Sequence, residues 1–284
     1  MPGIGINLRV GNRQGGNSYK NYVPAGLVTN LVRAWSTRRE LAAYKTGKAI
    51  RSLTSNGGTE TDNNLLKNGS ISLSGVTAYA NTIYEQIAGL DASKVLQAVF
   101  ANCPKIHDGT TGTQIAPSFD GGDYLAMGSA DSGLESLLTS SEWSYTVWAK
   151  CLQTGSNPKV IFHRQSIGAG YLVCSFTNGK IQSYNKSLSP INSTGNFNDG
   201  NWHFIAVTCK GTTNGHKLYV DAGTPDAANV GTVAGGTSLV SIGAKADGTL
   251  QITGSINDLV FWNKELSAAE ITSIYNTQKV YYGL

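Results

Sequence analysis

Six carboxylates in this chain stand where an acid–base pair would be sought: Glu85, Asp91, Asp120, Asp123, Asp221 and Asp258. Cleaving a glycosidic bond needs two such groups facing each other, about 5–5.5 Å apart for retention or about 6.5–9.5 Å apart for inversion. Local context points away from that role, because Asp120 lies in the turn Phe119-Asp120-Gly121-Gly122 and Asp221 closes a strand. The histidines His107, His163, His203 and His216 are widely spaced, with no i, i+4 pair and no accompanying cysteine cluster, so zinc is not expected. Asp120, Asp123 and Asp131 form no Asp-x-Asp-x-Asp ladder of the kind that holds calcium. There is no phosphate-binding glycine loop, dinucleotide fingerprint or serine elbow. We therefore expect no catalytic residues, no metal and no cofactor, and a protein that is not an enzyme.

Aromatic rings are the better-supplied chemistry. Sugars are held by a ring face against their C–H groups and a few hydrogen bonds from a rigid scaffold. The chain offers 13 tyrosines and five tryptophans, so the question is which of them reach the surface. Trp148, Trp202 and Trp262 fall within apolar strand patterns and read as core. Trp143, Tyr171 and Tyr184 border turns, and these three are the candidate carbohydrate platforms.

The elements that would position them are mostly strands. Asn201–Gly223 reads as a hairpin: Trp202, Phe204, Ala206 and Thr208 share one face, and Ile205, Val207 and Cys209 share the other. A strand apolar on both faces is covered on both sides. Lys210–Gly215 supplies the turn, and Leu218 and Val220 resume the alternation. Further strands are expected over 145–151, 159–163, 171–176 and 180–184, separated by Gly, Asn and Ser turns. Ser267 and Glu270 make a capping box for a closing helix over 267–275. Leu31, Ala34, Trp35, Arg38, Leu41 and Ala42 recur at helical steps, predicting a helix near 30–45 with Thr29 as cap, followed by a strand over 48–53 and a polar loop over 54–68. Cys103, Cys151, Cys174 and Cys209 lack metal or redox spacing and read as reduced core residues.

Charge divides the chain. Residues 1–55 carry nine basic side chains against one acid, while the remainder carries 13 against 17, so the two ends should meet different partners. Residues 1–33 form a basic, glycine-rich arm too short to fold alone, with Arg9, Arg13 and Lys20 as its attachment residues. Residues 34–284 form the folded domain. Arg38 and Arg39 beside Trp35 are too sparsely interleaved with aromatics to predict a nucleic-acid partner. Met1–Arg13 has no apolar signal core, and no apolar run is long enough to span a bilayer. No membrane partner is expected, and synthesis is expected in the cytoplasm.

Two resemblances sharpen this reading. Trp202-His203 before an apolar strand, Leu218-Tyr219-Val220-Asp221, Ser241-Ile242-Gly243, Gly254–Leu259 and Leu266–Ile271 are similar to the laminin-G-like, concanavalin-A-like family. That implies an all-β fold, an antiparallel jelly-roll sandwich, with Asp258 as a structural acid. The runs Arg38–Arg51, Thr82–Gln86, Pro104–Ile106 and Ser118–Tyr124 resemble the sandwich domain of the arabinofuranosidase B family. The sequence departs from that pattern at Tyr84–Gly89, and the glycosidase's catalytic carboxylates match no position here. Bacteriophage structural proteins carry the same succession ahead of a laminin-G-like region. The resemblances imply a virion structural protein, of head-fibre, tail-fibre or decoration type. Its arm would contact other virion proteins, it would form a homo-oligomer, and its sandwich would bind a carbohydrate or bacterial host surface. The alternative they imply is an arabinofuranosidase-like carbohydrate-active enzyme. Fold alone does not choose between these, since function lives in the site.

Overall fold

The hairpin expected between Asn201 and Gly223 is present in the computed structural model of the chain. His203–Lys210 and His216–Val220 pair antiparallel, with Ile205 opposite Val220 and Thr208 opposite Lys217. The turn uses Asn214 at φ +55°. It also uses Gly215, where a Cβ would lie 2.2 Å from the Lys210 carbonyl oxygen.

The structure describes residues 23–36, 50–53, 61–63, 71–72, 77–83, 95–108, 113–114, 116–127, 130–153, 155–165, 171–185, 190–228 and 239–284. In chain order the strands are β1 (Leu31–Trp35), β2 (Ile50–Leu53), β3 (Thr61–Asn63), β4 (Ile71–Ser72), β5 (Thr77–Ile83), β6 (Val95–Leu96), β7 (Lys105–Asp108), β8 (Thr113–Gln114), β9 (Ser118–Asp120) and β10 (Leu125–Met127). Helix α1 (Ser132–Leu138) separates these from β11 (Glu142–Cys151), β12 (Lys159–Gln165), β13 (Tyr171–Thr177), β14 (Lys180–Asn185) and β15 (Ile191–Asn192). The chain closes with β16 (His203–Lys210), β17 (His216–Val220), β18 (Asp226–Ala228), β19 (Leu239–Ile242), β20 (Thr253–Trp262) and helix α2 (Ala268–Gln278).

All strand pairing recorded within the sandwich is antiparallel. One sheet, the front, runs β1-β20-β11-β16-β17-β18. The other, the back, runs β6-β10-β19-β12-β13-β14-β15. Their facing sides make the main core, where Tyr145, Val147, Ile205, Val207 and Phe261 of the front meet Ile161, Phe162, Cys174, Phe176 and Ile181 of the back. This is the expected all-β sandwich.

A second apolar layer lies on the outer side of the front sheet. Trp148, Phe204, Ala206, Tyr219 and Trp262 are covered there by Leu27, Leu31, Ile271, Ile274 and Tyr282. The 3₁₀ turn Ala25–Asn30 and helix α2 are therefore the reason β16 is apolar on both faces. The capping box of α2 is formed: the Ser267 hydroxyl accepts from the Glu270 N–H, and the Glu270 carboxylate accepts from the Ser267 N–H.

Three expectations are corrected. Leu31–Trp35, expected to begin a helix near 30–45, is strand β1, with Ala34 opposite Val260 and Trp35 opposite Leu259. Trp35 faces the main core while Leu31 and Ala34 face the outer layer. A strand buried on both faces has no clean alternation, so its apolar positions satisfy a helical period as well. β1 also crosses the boundary set between residues 33 and 34, and Val23 and Leu27 are buried, placing residues 23–33 in the packed structure rather than in an arm. Finally, Thr61–Asn63 in the expected 54–68 loop is strand β3, paired with β2. Arg9, Arg13 and Lys20 lie outside the described residues, as does the remainder of the predicted 30–45 helix from residue 37 onward. All four cysteines are buried with free thiols.

Candidate functional site

Alternation along the back sheet decides which side chains leave the core. In β14, Ile181, Ser183 and Asn185 are buried while Lys180, Gln182 and Tyr184 are only half-buried on the opposite side. In β12 a bulge between Val160 and Phe162 shifts the register against β13, so Val160 pairs with Ser175 and His163 with Val173. Val160, His163, Gln165, Ser175, Gln182 and Tyr184 thereby come together as lining of one cleft of about 440 Å³ on the outer face of this sheet. That volume lies within the range of about 300–1,000 Å³ usual for small-molecule sites.

The segment Ala244–Leu250 forms the cleft's wall with Lys245, Ala246, Asp247 and Leu250. It is a tight, internally bonded turn. The Lys245 N–H donates to the Thr249 carbonyl at 2.9 Å and the Gly248 N–H donates to the Lys245 carbonyl at 2.9 Å. Gly248 takes φ +76°. Asp247 Oδ1 accepts from the Thr249 hydroxyl at 2.6 Å and from the Thr249 N–H at 3.0 Å. Those bonds, with Lys245 beside it, hold the Asp247 carboxyl down at about 2. Two further bonds pin the wall to β12: the Ala246 N–H donates to His163 Nδ1 at 3.4 Å, and the Val160 N–H donates to the Leu250 carbonyl at 3.0 Å.

His163 is 4% exposed, and burial, reinforced by Lys245, lowers its pKa to about 4. It is a neutral imidazole whose Nδ1 is an acceptor. The floor thus mixes apolar surface from Pro158, Val160 and Leu250 and the Tyr184 ring with hydroxyl and amide groups from Ser175, Gln165 and Gln182. Gln182 is steadied by donating to Asn192 Oδ1 at 2.9 Å.

Of the three proposed aromatic platforms, Tyr184 lines this cleft. Tyr171 stands opposite Gln165 at the end of the β12–β13 ladder. Trp143 is a correction: it is 1% exposed and stacked on Tyr145 at 6.3 Å, facing the main core. Strand β11 starts at Glu142, so Trp143 is a strand residue turned inward rather than a turn residue. The remaining lining residues were missed. Their signal was present as the outward polar positions of 159–165 and 180–184, but Lys245 and Asp247 come from a turn some sixty residues further along the chain.

The carboxylates considered for hydrolysis divide as follows. Asp258, at φ +54°, is 1% exposed and accepts from the Ser36 and Tyr282 hydroxyls, joining the segment after β1 to the C-terminal turn. Asp221 accepts from the Phe204 N–H at 2.8 Å and bonds His203 Nδ1 at 2.7 Å. Asp131 caps α1 through the Leu134 N–H and pairs with the Arg33 guanidinium. Asp120 and Asp123 line a smaller pocket of about 250 Å³ with Tyr79, Phe100 and Cys103. There burial, with a contribution from Asp120, raises the Asp123 carboxyl to about 7. Glu85 and Asp91 lie outside the described residues. Among the described residues no group of three or more metal-ligating side chains is present, and no helix is long and apolar enough to cross a membrane.

Comparison with known proteins supports the architecture. The family model for the concanavalin A-like lectin/glucanases superfamily matches residues 119–272. None of the curated proteins matches the chain. Among solved structures, a Trypanosoma rangeli sialidase in complex with 2,3-difluorosialic acid is 13% identical with a TM-score of 0.58, over 95% of this chain and 38% of that one. The same organism's sialidase in complex with sialic acid is 14% identical with a TM-score of 0.53, over 82% of this chain and 36% of that one. Domain 4 of AbnA, an extracellular arabinanase from Geobacillus stearothermophilus, in complex with arabinotriose, is 16% identical with a TM-score of 0.46, over 60% of this chain and 79% of that one. The chain spans under two-fifths of the sialidases' length, and at these identities the likeness is one of fold.

Proposed function

The chain belongs to the concanavalin A-like lectin/glucanases superfamily, and from that premise we propose that it is a non-enzymatic glycan-binding protein whose site is the outer cleft of the back sheet. The observation that carries this reading is the cleft itself. It joins the Tyr184 ring and an apolar floor to hydroxyl and amide groups, on strands fixed by ladder bonds. Apolar surface suits the C–H face of a sugar and the polar rim suits its hydroxyls. Screening the protein on a glycan array, then repeating the positive wells with Tyr184→Ala, tests it. Binding lost in a variant of unchanged melting temperature supports the reading, and no binding by the folded wild type removes it.

The biological setting we propose is a bacteriophage particle. The support is the sequence resemblance, together with the concentration of positive charge in residues 1–55. In this reading Arg9, Arg13 and Lys20 attach the N-terminal part to other virion proteins, the protein is a homo-oligomer, and the open cleft faces a bacterial surface glycan. Removing residues 1–22 should abolish incorporation into particles while leaving the melting temperature of the sandwich nearly unchanged.

The alternative is a carbohydrate-active enzyme, and the raised Asp123 carboxyl in its pocket with Asp120 is the feature that favours it. Against it, both carboxylates are engaged within their own turn: Asp123 accepts from the Asp120 N–H at 3.0 Å and Asp120 accepts from the Gly122 N–H at 2.8 Å. Turnover of arabinan or nitrophenyl arabinoside, abolished by Asp123→Asn, would overturn the non-enzymatic reading.

A further inference from the structure

We propose that the cleft selects uncharged glycans, reading hydroxyl groups and C–H surface and gaining nothing from a carboxylate, sulfate or phosphate on the ligand. This deepens the glycan-binding reading above and rests on it.

The described lining residues carry almost no unmet charge. Among them the charged side chains are Lys245 and Asp247, and His163 is the neutral imidazole. Lys245 and Asp247 compensate each other across 3.4 Å. Asp247 is built into the turn by two bonds from Thr249, so its charge stays beside Lys245 whether or not a ligand is present. His163 accepts the Ala246 N–H on Nδ1, which a protonated ring cannot do. The sum over the described lining residues is zero.

Two nearby cations among the described residues are directed elsewhere. Arg164 follows His163 in β12 but is 0% exposed, and it pairs with Glu135 of α1 on the core side of the sheet. Lys180 begins β14 on the same side as Gln182, yet its ammonium donates to the Ser193 carbonyl at 3.0 Å and to the Thr194 carbonyl at 2.7 Å. Anionic sugars are recognised by forked or clustered cations whose charge is not already met. The cleft instead presents Gln165, Gln182 and Tyr184, whose amides and hydroxyl both donate and accept, as sugar hydroxyls do. A carboxylated ligand would lose solvation on entering and face Asp247 as well as Lys245.

The test is calorimetric titration of the full chain with matched pairs that differ in charge: α-1,4-galactotriose against α-1,4-trigalacturonate, and lactose against 3′-sialyllactose, alongside maltotriose and cellotriose. Each titration is run at about 20 and about 300 mM salt, because screening separates charge readout from the rest. The expected result is binding of at least one neutral sugar, no tighter binding of its charged partner, and an affinity that changes less than about two-fold with salt. Tyr184→Ala should weaken that binding at least about ten-fold, and Gln182→Ala serves the same purpose if the first variant does not fold. Tighter binding of a charged partner, weakening as salt rises, would overturn the neutral selectivity while leaving the glycan site standing. Failure of every neutral and charged sugar to bind the folded protein would remove the glycan-binding reading and this inference with it.

Discussion

The two outer faces of the sandwich are built from the same kind of strand and have opposite fates. On the front sheet the outward positions are Trp148, Phe204, Ala206, Tyr219 and Trp262, an apolar surface that water would not tolerate, and α2 with the 23–31 segment closes over it. On the back sheet the outward positions include His163, Gln165, Ser175, Gln182 and Tyr184, and among the described residues the 244–250 turn flanks them. The difference teaches where selection for stability ends and room for recognition begins. A face that must be buried to hold the fold together is unavailable to a ligand, whereas a polar face with a cleft in it leaves room for one.

The largest effect should come from breaking the covered face. Trp148 stacks on Tyr282 at 4.1 Å and its indole N–H donates to Gln278 Oε1 at 2.8 Å. Trp148→Ala should cost about 3–5 kcal/mol, by the usual penalty for emptying a large aromatic site. Chemical denaturation would show it as a fall in the midpoint, and a change below about 1 kcal/mol would mean that the α2 layer is not integral to the fold.

Acid should unlatch the open face next, by a smaller amount. The lowered pKa of His163, about 4, means that the unfolded chain, at about 6.5 for an ordinary histidine, binds a proton that the folded chain refuses. Stability contributed by the neutral ring is therefore complete above about pH 6.5 and is lost as the pH falls toward 4. His163 contributes on the order of 2–3 kcal/mol across that window. Melting temperature should fall steeply from pH 6.5 to 4.5 in the wild type and less steeply in His163→Gln. Equal slopes would show that His163 does not anchor the 244–250 turn.

The reverse sign is expected at the front. Burial pulls the His203 pKa down, but its bonds to Asp221 and Asp199 outweigh that and leave it raised. The stabilisation of the protonated ring is present below about pH 6.5 and is lost as the pH rises through the raised value. The melting-temperature difference between wild type and His203→Gln should accordingly shrink from pH 6 to 8.5.

These contrasts also show what the chain discloses before it folds. The hairpin, the strand runs from 145 to 184 and the Ser267–Glu270 box were legible because each is written in contiguous sequence. Asp258 as a structural acid was legible through family resemblance. Strand β1 was not, since burial on both faces erases the period-2 signal that separates a strand from a helix. The cleft was legible only in part. Tyr184 could be picked out as an aromatic beside a turn, and so could Trp143, which the inward side of β11 then removed from consideration. The partners of Tyr184 come from three strands and the distant 244–250 turn, and only the ladder registers and the β12 bulge bring them together.

Smallest in stability is the helix cap. Ser267→Ala removes one hydroxyl acceptor from the α2 capping box and should cost about 1 kcal/mol. Loss of several times that amount would mean that α2 governs the front face more tightly than its packing implies.

The division of labour between the two faces is tested most directly by mapping where a sugar lands. An isotope-labelled protein titrated with the best neutral oligosaccharide from the array should shift the amide resonances of His163, Ser175, Gln182, Tyr184 and the 244–250 turn, leaving α2 and β16 unmoved. Shifts confined instead to α2, or to the pocket of Asp120 and Asp123, would contradict the account.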